Sequence, residues 1–91
     1  MSTAILIVRH QVQDYSAWRP VYDSLEDLRQ HYSCSGAEVM TAPDDKNDVF
    51  VIHRFPSLEA AGAFAGSSEL KDAMGRAGVT GAPRIEIAAE A

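Results

Sequence analysis

The chain has one cysteine, Cys34, in 91 residues. A single thiol closes no internal disulfide, and it cannot build a cysteine-based zinc site alone. Positive charge is sparse too: 8 Lys and Arg stand against 13 Asp and Glu, for a net charge of −5. The basic residues are scattered and form no stripe. Neither nucleic acid nor an anionic membrane surface is therefore an expected partner. Long hydrophobic runs are missing. Ile5-Leu6-Ile7-Val8 is too short for a signal-peptide core or a membrane span, and Met1-Ser2-Thr3-Ala4 before it carries no basic side chain. The expected compartment is the cytoplasm. There is no low-complexity segment.

What the chain does have is an ordinary globular balance, 46% apolar and 23% charged. Its length makes one domain, 1–91, near the lower limit for burying a core unaided. Association with a second copy would help.

Residues 4–12 alternate as a strand: Leu6, Val8, His10 and Val12 share one face, and Ile5, Ile7, Arg9 and Gln11 the other. Residues 14–32 have helical spacing, with Tyr15, Trp18, Tyr22, Leu25 and Arg29 on one stripe. Asp14 or Ser16 can cap this helix, and Pro20 bends it unless it falls near the first turn. Gly36 is suited to the positive φ that ends the helix. A short strand at 37–41 leads to a polar connection at 42–48, then a strand at 49–55. Here Val49, Val51, His53 and Phe55 share a face. Ser57 caps a helix with Leu58, Ala61, Phe64 and Ala65 inward. Gly66-Ser67-Ser68 interrupts it, and a second piece carries Leu70, Ala73, Met74 and Ala77 before Gly78. Residues 79–83 read as a loop and 84–88 as the last strand.

Two β-α-β halves of similar length favour an α+β ferredoxin-like βαββαβ sandwich: a four-stranded antiparallel sheet with helices on one face and the first and third strands at its centre. The uncovered face would show Ile5 and Ile7 to water. Burial against a second sheet is the natural remedy, so a homodimer is expected on physical grounds. Arg9 and Arg54 fall on that face and are expected to pair with acids such as Glu86 across the sheet or interface; the functional alternative is an anchor for a carboxylate or phenolate.

Four stretches carry a family resemblance. Residues 10–23, HQVQDYSAWRPVYD, resemble the strand-to-helix passage of dimeric α/β-barrel proteins, specifically the antibiotic-biosynthesis-monooxygenase-like group. Residues 44–51 (DDKNDVFV), 69–74 (ELKDAM) and 77–83 (AGVTGAP) fit as well. The resemblance implies two sheets closing into an α/β barrel, and a ligand site between sheet and helices. It implies no particular chemistry, since the group spans cofactor-free monooxygenases on aromatic polyketides, haem-degrading enzymes, isomerases and proteins without known activity. The haem-degrading branch uses an Asn, Trp and His set. Here the single Asn is Asn47, in a polar turn, which argues against haem degradation. An isomerase of muconolactone type has no motif in its favour.

His10 and His53 are the sharpest candidates, each on the apolar face of a central strand and so expected as neighbours. A neutral imidazole there can take a proton from a phenol or an acidic carbon. The competing reading makes both core or interface histidines, hydrogen-bonded and inert. Two histidines without a carboxylate or thiolate are a poor metal site, so no metal is expected, and no cofactor is implied. Trp18 and Tyr22, one turn apart, suit the wall of an aromatic site, with Phe64 and Met74 opposite; the plain alternative is that these four fill the core. Cys34, after a helix C-terminus, lacks the setting of a nucleophile. The functional expectation is a homodimer that binds a small aromatic compound, as a cofactor-independent monooxygenase or cyclase-type enzyme or as a non-catalytic binding protein.

Overall fold

The computed structural model describes residues 3–91; Met1 and Ser2, part of the N-terminal stretch read above, lie outside them. The elements run β1 (Ala4–Val12), α1 (Tyr15–Asp23), α2 (Glu26–His31), β2 (Gly36–Ala42), β3 (Asp45–Phe55), α3 (Leu58–Ala65), α4 (Ser68–Arg76) and β4 (Val79–Ala89). The sheet order is β2-β3-β1-β4, with every pair antiparallel. This is the expected four-stranded α+β sandwich with β1 and β3 central. Among the described residues, no helix is long and apolar enough to cross a membrane.

Period-two alternation sets the core. Leu6, Val8, Val49, Val51 and Phe55 point from the central strands towards the helices and are almost wholly buried, with Phe64 of α3 packed on them. Each such side chain contributes about 1.5–3 kcal/mol of apolar burial. The opposite face carries Ile5, Ile7, Phe50 and Ile52, half-buried, and Met40, exposed. Strand register puts Ile7 beside Ile52, with Glu38 and Glu86 at the ends of that row.

Four boundaries differ from the sequence reading. The helix read at 14–32 is two helices. Asp14 caps the first through Ser16 N. Pro20 then lies inside α1 without the amide that would bond one turn back. The helix breaks at Ser24, whose hydroxyl donates to the Val21 carbonyl at 2.6 Å, and α2 starts at Glu26. The residue with left-handed backbone after α2 is Ser33, φ 66°, not Gly36, which has already entered β2.

Most of the connection read at 42–48, and all of the loop read at 79–83, is strand. Pro43-Asp44 alone make the β2–β3 turn, and β3 begins at Asp45, bulging before it pairs again at Val49. That bulge carries Asn47 to the start of α1: its Oδ1 accepts from Tyr15 N at 2.9 Å, and its Nδ2 donates to the Gln13 carbonyl at 3.4 Å. β4 begins at Val79, not residue 84. Between the pairs Gln11–Thr80 and Arg9–Arg84 it bulges opposite His10. Gly81, φ 71°, permits the bulge, and Pro83 sits where no ladder amide is needed. Both bulges hide strand behind turn-type composition.

Candidate functional site

The site lies where α1 and α2 cross the helix side of β1 and β3. A cavity of about 30 Å³ there is lined by Val8, His10, Trp18, Tyr22, Arg29 and His53 among others, with Phe64 and Met74 on the far wall. No Asp or Glu reaches it. The volume admits one or two waters and no more.

Both histidines project from the helix side of the sheet and are more than nine-tenths buried. They are not neighbours. His53 lies opposite Leu6 and His10 opposite Val49, with the Val8–Val51 pair between them. Four residues of strand separate the two positions by about 13 Å. They cannot share a metal, and among the described residues no cluster of three His, Cys, Asp or Glu side chains suits one.

Helix α1 gives each histidine its own aromatic partner. Trp18 meets His10 edge-on, with ring centres 5.7 Å apart. The Tyr22 hydroxyl approaches His53 Nε2 at 3.4 Å. Trp18 and Tyr22 stack on each other at 4.9 Å and 18°, and Tyr15 continues the stack. This aromatic stack leaves a cavity of only about 30 Å³ beside it.

The polar accounting is incomplete. Both ring nitrogens of His10 and Nδ1 of His53 are buried without a hydrogen-bond partner. Whichever tautomer His53 adopts towards Tyr22, its Nδ1 is left over. Burial lowers the pKa of both rings. For His53 the value falls to about 4, through burial first and the Arg29 charge second; the Leu6 backbone opposes this without completing a hydrogen bond. Burial raises the Tyr22 phenol, against the opposing pull of Arg29. At neutral pH the three groups are uncharged.

Arg29 completes the site, and the sequence reading passed over it as one member of the helix stripe. Its side chain is buried, with the guanidinium 4.2 Å from the centre of the Tyr22 ring. Nη1 donates to the Tyr22 carbonyl at 2.9 Å, at the end of α1, where that carbonyl also accepts from Leu25 N at 3.0 Å. Nη2 bonds Glu26 at 3.1 Å, one turn back along α2. The available signal was an arginine in register with Trp18 and Tyr22 on an otherwise apolar stripe. Cys34 is half-buried and donates to the Gly36 carbonyl. Arg9 and Arg54 do lie on the open face, but their partners are Asp48 and Glu38; Glu86 pairs with Arg84.

No protein-family model matches the sequence, and a search of curated proteins finds no relative. Solved structures do match. An antibiotic biosynthesis monooxygenase-like protein from Bordetella bronchiseptica superposes with a TM-score of 0.82 over 100% of this chain and 99% of its own, at 9% identity. A similarly described protein from Caulobacter crescentus gives 0.75 over 96% and 88%, at 17% identity. SnoaB, a cofactor-independent oxygenase from Streptomyces nogalater, gives 0.73 over 100% and 93%, at 8% identity. Identities this low speak for architecture and not for chemistry. The resemblance read from the sequence thus holds in three dimensions: this chain has the fold of the antibiotic-biosynthesis-monooxygenase-like proteins.

Proposed function

We infer that the protein is a homodimeric α/β-barrel protein that binds a small aromatic compound, and that it acts on it as a cofactor-independent monooxygenase or cyclase-type enzyme. One observation carries the reading: three buried imidazole nitrogens without partners belong to His10 and His53, which line a cavity walled by stacked aromatics. An unmade buried hydrogen bond costs about 1–3 kcal/mol. A ligand hydroxyl or carbonyl that pairs these nitrogens would recover that energy.

In the oxygenase version His10 or His53 takes a proton from an acidic CH₂ of a phenolic, anthrone-like ring. The imidazolium and the carbanion form together, and each favours the charged form of the other. The carbanion gives two electrons to dioxygen and forms a C–O bond, and the imidazolium returns its proton to give a hydroperoxide. Loss of the second C–H proton then supplies two more electrons, breaks the O–O bond and leaves a carbonyl and water, so the substrate is the reductant. Trp18, Tyr22, Phe64 and Met74 hold the ring and keep water out. The ligand needs more room than the closed cavity has, and the break between α1 and α2 is where that wall can move. Two copies meeting through the open sheet face would bury Ile5, Ile7, Phe50 and Ile52, ringed by the Arg9–Asp48, Arg54–Glu38 and Arg84–Glu86 pairs.

The small cavity favours a second reading, a binding or structural dimer without catalysis, in which the same side chains are simply core. Oxygen uptake with an anthrone substrate separates the two. Turnover in the wild type, lost in His10→Ala or His53→Ala dimers, supports the enzyme. Equal turnover in both variants removes the base assignment, and no turnover or binding leaves the structural dimer.

A further inference from the structure

The cavity's electrostatics select the charge of its ligand. Its titratable side chains are His10, His53, Tyr22 and Arg29, and no acid faces it. With the first three neutral, the guanidinium is its one charge. Arg29 is also reachable. It and Tyr22 line both the cavity and a surface cleft of about 410 Å³ between α1–α2 and the edge of β2, which Arg19, Asp23 and Glu26 also border. These two side chains are thus the partition between an inner space and solvent.

The two donors of Arg29 are unequal. Nη1 is committed to the Tyr22 carbonyl. Nη2 holds Glu26, whose side chain is 65% exposed. An ion pair with so exposed a carboxylate is worth little and is easily exchanged. An anionic oxygen arriving from the cleft would meet the same donor in a drier setting, where a charge-assisted bond is stronger.

We propose that Arg29 anchors the ligand, that the ligand is a planar aromatic anion (a carboxylate or an ionised phenol), and that it displaces Glu26 as it passes the Tyr22–Arg29 partition. This rests on the ligand-site reading above and adds the charge, the anchor and the route.

The single tryptophan, Trp18, stands in the aromatic stack and reports occupancy by fluorescence. The probes are 2-naphthoate and its neutral counterpart 2-naphthalenemethanol, titrated at neutral pH. The acid is expected to bind the wild type roughly tenfold more tightly, the fold-change of one charge-assisted bond. Arg29→Gln should bring the two within about twofold of each other. Glu26→Gln should tighten the acid alone. Equal affinities in the wild type overturn the anchor while leaving the site standing, as does a folded Arg29→Gln that still prefers the acid. If Arg29→Gln does not fold, unchanged acid binding in Glu26→Gln overturns it. Binding of neither probe removes the ligand site and the anchor together.

Discussion

Tyr22 and His53 meet at 3.4 Å between hydroxyl and Nε2, both buried, one on helix α1 and the other on central strand β3. The contact pins the aromatic stripe to the sheet, and among the described residues it is the one hydrogen bond of the His53 side chain. Tyr22→Phe should cost about 0.5–1 kcal/mol, the low end of the range for so long a bond. Urea midpoints of Tyr22→Phe, His53→Gln and the double variant measure the coupling. Strictly additive losses would mean that the two groups do not interact.

Acid should unfold the protein in a window set by His53. Its pKa is about 4 folded against an ordinary 6.5, so the unfolded chain takes up the proton first as pH falls. The histidine's contribution is complete above about pH 6.5 and is lost between there and about pH 4, amounting to about 3 kcal/mol. His10, also lowered by burial, acts in the same direction. His53→Gln should flatten the dependence of urea midpoint on pH across that window. An unchanged slope would assign the acid sensitivity elsewhere.

Asn47→Ala should destabilise by about 1–2 kcal/mol, because it strands the first amide of α1 and removes the tie from the β3 bulge. Thermal melts give the size. Asn47→Asp keeps the acceptor for Tyr15 N and should recover most of the loss.

Ile7→Glu tests the dimer. Ile7 is central on the open face, and a third carboxylate would stand in the row that already holds Glu38 and Glu86. Sedimentation should find the wild type dimeric and the variant monomeric, with near-ultraviolet circular dichroism of the Trp18 stack unchanged. A dimeric Ile7→Glu would place the contact on another surface.

The strands and their inward faces were readable because β1 and β3 alternate cleanly, which placed His10, His53, Val8 and Val51 on one side. The break in the first helix was not. Trp18, Tyr22, Leu25 and Arg29 keep helical spacing across it, and only Pro20 hinted at an interruption. Residues 42–48 and 79–83 looked like loops because bulges use the Asp, Asn, Gly and Pro that mark turns. Arg29 escaped notice because its contacts depend on the break between α1 and α2, which sets its guanidinium against the Tyr22 ring and carbonyl. Arg9 found Asp48, not Glu86, because the β3 bulge moves that acid into strand.

Helix and sheet measure distance differently, and the two histidines inherit the difference. Four residues advance about 6 Å along α1 and about 13 Å along β1. Trp18 and Tyr22 therefore stand shoulder to shoulder while the imidazoles they touch are far apart. No single atom of a bound molecule can face both rings. In the proposed complex His10 would meet a ligand at one end, and His53 and Arg29 at the other. The fold acts as a ruler, and a compound that satisfies both ends has to be long in one direction.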